Sequence, residues 1–107
     1  MIDIEKIKKD IPIMLESLDI NKIILFGSYA YGVPHKDSDL DICIVEEKVV
    51  SKMKEKRKIR KLLDEIDMPM DIILVDEDYY QTHSDKNWIN TALYDARQKG
   101  EILYEKR

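Results

Sequence analysis

A single small α/β (α+β) domain, with helices packed on a sheet of about four strands, is the fold class that this 107-residue sequence predicts. Three observations carry that expectation. Short apolar runs, bounded by Gly and Pro, alternate with longer stretches whose apolar residues recur at helical spacing. Hydrophobic residues make up 44% and charged residues 37%, with only three Gly and three Pro, which excludes collagen-like, linker-like and disordered chains. The length allows one core over residues 1–107 and is too short for two.

The elements follow in order. Residues 4–18 read as a helix, with Ile4, Ile7, Ile11, Met14, Leu15 and Leu18 on one side and a kink or restart expected near Pro12. Residues 22–26 are a short apolar run closed by Gly27, a buried strand. Residues 40–45 form a second strand. Residues 49–66 read as a highly charged helix whose stripe comprises Val49, Val50, Met53, Ile59, Leu62, Leu63 and Ile66. Pro69 stops it, and residues 70–75, rich in β-branched side chains, form a third strand. Residues 76–86 are polar and suggest a loop or frayed turn. Residues 87–99 look helical, with Trp88, Ile89, Ala92, Leu93 and Ala96 inward and Gly100 as a C′ residue. Residues 102–104 offer a short last strand.

Cys43 is the sole cysteine, so no intrachain disulfide is possible, and no Cys/His cluster suggests zinc. No apolar run approaches the roughly 18 residues of a membrane span, and the first five residues are too acidic for a signal peptide. These features point to a cytoplasmic, reducing-compartment domain. The net charge of −4 is uneven: residues 52–61 hold seven bases against Glu55, a local +6, so the other 97 residues carry −10. An acidic body argues against direct nucleic-acid binding. The basic segment is read first as a solvated helix face, and second as a contact for a phosphate or an acidic partner.

The chemistry concentrates between Gly27 and Asp41. Gly27-Ser28 ends a strand and opens a helical turn, where bare N–H groups and a hydroxyl suit phosphate oxygens. Gly27 and Gly32 are five apart, as in a Walker loop, but Val33-Pro34 stands where Lys and Ser/Thr would be needed. Asp39 and Asp41, at i and i+2, project from one face of a strand. Two such carboxylates repel unless a cation lies between them, and hard oxygen ligands beside phosphate favour Mg²⁺. Asp71 enters an otherwise apolar strand; were that strand beside the second, three carboxylates would converge near Ser28, a set suited to two-metal nucleotidyl transfer. Each part alone is bland, since Gly-Ser is a common turn and Asp-x-Asp is usually a solvated strand end. Their conjunction is far more specific.

Gly27-Ser28, ten intervening residues, then Asp39-x-Asp41 resembles the signature of the DNA polymerase β-like nucleotidyltransferase superfamily. The short chain is similar to its minimal members, the MNT antitoxins paired with HEPN toxins, from Lys22 through Tyr104. The resemblance implies a polymerase β-like fold with a mixed sheet. It implies that Gly27 and Ser28 hold the β- and γ-phosphates of ATP, with Gly32 and Ser38 completing the nucleotide-binding set. Asp39, Asp41 and Asp71 would bind two Mg²⁺ ions, Asp71 also helping to deprotonate the acceptor. The implied reaction is transfer of AMP to a tyrosine of a HEPN-type toxin. The alternatives are neutralisation of a toxin by binding alone, and transfer to a small molecule, for which the chain lacks an acceptor-holding domain. One position departs from the pattern: relatives often have Arg or Lys where this chain has Tyr31, so Lys36 or the basic helix would have to supply a phosphate-facing cation.

The remaining residues have quieter expectations. Tyr79 and Tyr80 pack at the domain edge or meet a partner, together with the last helix; His35 and His83 are turn and loop residues. Cys43 and Trp88 are core residues, and Ser38 braces its loop through backbone hydrogen bonds.

Overall fold

The computed structural model describes residues 3–35 and 37–107, so Lys36 lies outside the described residues. Strands β1 (Ile20–Phe26), β2 (Leu40–Glu46), β3 (Met70–Asp76) and β4 (Glu101–Glu105) form one sheet in the order β3-β2-β1-β4. β2 and β3 are parallel, whereas β1 is antiparallel to both β2 and β4. A parallel pair needs a crossover, which α3 (Lys52–Leu62) supplies between β2 and β3. The result is a mixed α/β sheet domain, the fold class expected from the sequence.

Alternation along the strands divides the core in two. Ile23, Leu25, Ile42, Ile44, Ile72 and Leu74 meet Ile11 of α1 (Ile4–Met14), Leu15 just beyond it, and Ile59 of α3. On the other face, Ile24, Phe26, Cys43, Val45 and Val75 pack against Tyr80 of α4 (Glu77–His83) and Leu93 and Ala96 of α5 (Ala92–Lys99). Five residues of β2, from Leu40 through Val45 apart from Asp41, are fully buried, because helices cover both faces of this central strand. Burial pushes the Cys43 thiol up to about 12, so it is an inert core group.

Several expected boundaries move, each for a local reason. α1 continues through Pro12 but ends at Met14, four residues early. The basic helix is shorter than residues 49–66: Ser51 caps it by accepting from the Lys54 N–H, leaving Val49 and Val50 outside and Val50 fully exposed. Residues 77–83, expected as loop, form α4, because the Asp76 carboxylate accepts from the Tyr79 N–H at 2.8 Å and Glu77 and Asp78 favour the first turn. The last helix starts at Ala92 under a Thr91 cap, preceded by Asn90 at φ 75° and a 3₁₀ turn over Lys86–Trp88. Trp88 and Ile89 are consequently not inward: they are 38% and 56% exposed. Tyr80 is buried, while exposed Tyr79 stacks on His83 at 3.8 Å, with Trp88 tilted beside it. Gly100 does close α5, but with extended backbone; its requirement is space, since a Cβ would lie 2.4 Å from Ala96 O and 2.5 Å from Ile24 Cγ2.

One core-facing group is out of keeping with its surroundings. Glu46 ends β2 on the α3 side and is only 4% exposed. Burial, then the hydrogen bond and charge of Glu55, push its carboxyl up to about 8, with Lys58 opposing. A raised acid binds its proton more tightly in the folded chain than in the unfolded one. Its favourable contribution is therefore complete below the ordinary carboxylate range and is lost as pH rises from about 4.5 to about 8. Glu46→Gln is expected to raise stability by roughly 1–2 kcal/mol at pH 8, several degrees in Tm, and by nothing below about pH 4. Parallel thermal melts across that range check this; a constant offset would mean packing, not protonation, separates the two proteins.

Candidate active site

The site is built where β1 ends and β2 and β3 begin. Gly27 follows Phe26, the last residue of β1, and adopts φ 76° and ψ −157°, a conformation open essentially only to glycine. That turn directs the chain into the one-turn helix α2 (Ser28–Tyr31), whose Ala30 and Tyr31 N–H groups both donate to Gly27 O. Ser28 opens the turn with its hydroxyl, and the Ser28 and Tyr29 N–H groups have no intrahelical acceptor. Gly32 closes it: its N–H donates to Ser28 O, and a Cβ there would stand 2.9 Å from Ser28 Cα.

The carboxylates come from the neighbouring strands. Asp41 is the second residue of β2, paired across the sheet with Phe26 on one side and Asp71 on the other. Its side chain closes on Gly27 so tightly that a Cβ at Gly27 would lie 2.0 Å from Asp41 Oδ2. Asp39 stands exposed one residue before β2, and Leu40 between the two donates its N–H to Pro69 O, tying the start of β2 to the start of β3. Asp71 is exposed at the sheet edge, so the cost of burying a carboxylate does not arise there. Asp41 is half-buried, and its carboxyl is held above its usual range, first by burial and then by the charges of Asp71 and Asp39.

The loop between the motif halves is braced internally. Ser38 Oγ accepts from the His35 N–H at 2.9 Å, and the Ser38 N–H donates to His35 O at 2.8 Å. The Ser38 hydroxyl thus has a structural task, and its proton has no acceptor among the described residues.

At this end of the sheet Asp39 and Asp71 are exposed and Asp41 is half-buried. A groove of about 620 Å³ lies elsewhere, lined by Glu46, Glu55 and Lys58 among others, and it contains none of the motif residues. Mutually repelling carboxylates mark chemistry better than concavity does. Among the described residues, no three His, Cys, Asp or Glu side chains form a ready-made metal cage. The donor set nonetheless fits Mg²⁺: hard carboxylate oxygens on adjacent strands, crowded enough to disfavour ionisation of Asp41, with room for phosphate oxygens to complete the shell.

Sequence reasoning missed one neighbour of this site. Lys99, the last residue of α5, holds its Nζ 5.6 Å from the centre of the Tyr31 ring. Lysine at a helix C-terminus is common for reasons of helix dipole, so no local pattern singles it out.

Comparison with known proteins defines the class. Residues 4–104 match the model of the nucleotidyltransferase domain, and the chain belongs to that family; it is a nucleotidyltransferase. A provisionally named protein adenylyltransferase of Methanocaldococcus jannaschii is 37% identical over 71 residues, covering 66% of this chain and 70% of its own. Among solved structures, a nucleotidyltransferase of Sulfolobus solfataricus, itself assigned provisionally, shares the fold with a TM-score of 0.62 at 20% identity, over 94% of this chain and 79% of its own. A toxin–antitoxin structure with AMP-PNP gives 0.57 at 21% identity, over 94% and 74%. The MNT antitoxin complexed with a tri-AMPylated HEPN toxin of Shewanella oneidensis gives 0.53 at 18% identity, over 95% and 72%.

Proposed function

We propose that this chain transfers AMP from ATP to a tyrosine hydroxyl of a HEPN-type toxin and acts as its antitoxin. The observation that carries the reading is the placement of Asp71 in register beside Asp41, with Gly27 packed on the Asp41 carboxylate, in a chain of the nucleotidyltransferase family. The adenylyltransferase relative and the toxin–antitoxin neighbours support AMP transfer and the antitoxin role.

In this mechanism Gly27, Ser28 and Gly32 hold the triphosphate at the α2 turn, and Ser38 fixes the loop that carries Asp39. Asp39, Asp41 and Asp71 would hold two Mg²⁺ ions, which supply neutralisation of charge on the α-phosphate and the leaving group. The acceptor oxygen bonds to the α-phosphorus, the bond from that phosphorus to the bridging oxygen breaks, and pyrophosphate departs. Asp71, exposed at the sheet edge where a large acceptor can approach, takes the hydroxyl proton. The single buried thiol suits a reducing compartment, and the cytoplasm is the proposed location. Among the described residues, no helix is long and apolar enough to cross a membrane.

The test is to incubate the protein with ATP, Mg²⁺ and the product of its neighbouring gene, reading intact masses with Asp39→Asn alongside. The expected result is one or more AMP units on the partner, absent with the variant. A stable complex without added mass would replace transfer by neutralisation through binding, and label appearing only on small molecules would remove the protein acceptor.

A further inference from the structure

A triphosphate brings several negative charges to a site already lined by Asp39, Asp41 and Asp71. Metal ions offset part of that charge, and a side-chain cation near the phosphate-binding turn would offset more. α2 itself, Ser28–Tyr31, supplies no such cation. The basic helix α3 is not the replacement. Its inward side packs with Ile42, Ile44, Ile72 and Leu74, on the sheet face opposite to that of Asp41, Cys43 and Val45.

Two helices, α4 and α5, cover the carboxylate face, and Leu93 and Ala96 of α5 pack in one cluster with Ile24, Phe26, Cys43 and Val45. α5 runs toward the site, because Gly100 turns its end into β4, whose first residue, Glu101, pairs with Leu25 near the end of β1. Two cations of its last turn differ in employment. Arg97 lies over the Tyr80 ring and donates to Ser84 Oγ at 2.9 Å. Lys99 forms no ion pair among the described residues, while neighbouring Glu101 is taken by Lys8 at 3.0 Å. Its ammonium is held instead over Tyr31, three residues from Ser28.

We propose that Lys99 is the cation that contacts the terminal phosphates of the bound nucleoside triphosphate, with the Tyr31 ring as the platform that keeps its ammonium beside the Gly27–Ser28 turn. The inference rests on the nucleotidyl-transfer reading of the same site and adds a residue from a distant helix to it. The aromatic ring leaves the donors of the ammonium unspent, so they can turn to phosphate oxygens when nucleotide arrives. A lysine that merely settled the α5 dipole would affect stability and leave nucleotide discrimination alone.

The test is equilibrium binding of AMP-PNP and of AMP, each with Mg²⁺, to the full chain, to Lys99→Met and to the double variant Tyr31→Arg/Lys99→Met. Lys99→Met is expected to weaken AMP-PNP about tenfold, the scale of one charge-assisted contact, and AMP by less than about twofold. The arginine placed on α2 is expected to restore most of the lost affinity. Equal weakening of both ligands, or an unchanged ratio between them, would overturn the role of Lys99 while leaving nucleotidyl transfer standing. A parent protein that binds no triphosphate would overturn both.

Discussion

Asp41→Asn is expected to lower AMP transfer by at least about 10²–10³-fold while leaving the domain as stable as the parent or more so. The two effects have one cause. Of the three motif carboxylates Asp41 has the least water, and both others bear on it: Asp71 pairs with it across the sheet, and Asp39 precedes it by two residues. Such crowding disfavours its charged form in the folded chain, so a neutral isostere relieves repulsion that the fold otherwise tolerates. In the proposed mechanism the same charge is what would hold a divalent cation against the α-phosphate, so relief and inactivation would arrive together. Exposed Asp39 should lose activity to a similar extent as Asn but with little change in Tm, since less repulsion is released there. Transfer assays and thermal melts on both variants decide the matter. Activity of Asp41→Asn within tenfold of the parent would remove these carboxylates from the chemistry. Inactivity with a falling Tm would make Asp41 a structural residue.

What could be read from the residues alone was the chemistry of short range. Gly27-Ser28 and Asp39-x-Asp41 announce themselves because a tight turn and paired carboxylates need particular residue types at fixed spacing. The first three strands were equally plain, since buried strands are short apolar runs and Pro69 and Gly27 mark their ends, whereas β4, exposed along most of its length, showed only as residues 102–104. The misses share a physical reason. Asp76-Glu77-Asp78 looks like loop by polarity, yet its first carboxylate satisfies a helix N-terminus, and capping outweighs composition. Trp88 and Ile89 fit a helical stripe through residues 87–99, but Asn90 accepts a left-handed backbone and Thr91 restarts the helix, so the stripe's first turn never forms. Beyond both lies a class of fact that no window of sequence holds: that Asp71 lies in register with Asp41, that Glu46 faces Glu55, and that Lys99 reaches Tyr31. Each joins residues of separate elements, and only the strand order β3-β2-β1-β4 and the division of helices between the two faces bring them together.

Gly27 ties backbone geometry to the carboxylate, and Gly27→Ala is expected to destabilise the domain by about 3–5 kcal/mol. Two separable terms contribute. At φ 76° and ψ −157° an alanine carries backbone strain of about 1–3 kcal/mol wherever its methyl points. The methyl also points badly, 2.0 Å from Asp41 Oδ2 and 3.0 Å from Asp41 Cγ, an overlap that only displacement of the carboxylate relieves. Activity should vanish even in the folded fraction, because the displaced group is the one that faces Asp71. A double-mutant cycle separates the terms: Asp41→Ala removes the overlap and leaves the strain, so Gly27→Ala should cost about 1–3 kcal/mol less in that background. Denaturant titrations of the four proteins measure both quantities. Strict additivity would place the whole cost in the backbone and make the close approach of Asp41 incidental. A Gly27→Ala protein within about 0.5 kcal/mol of the parent would mean that the turn refolds around alanine, and the phosphate-binding role of this turn would fall with it.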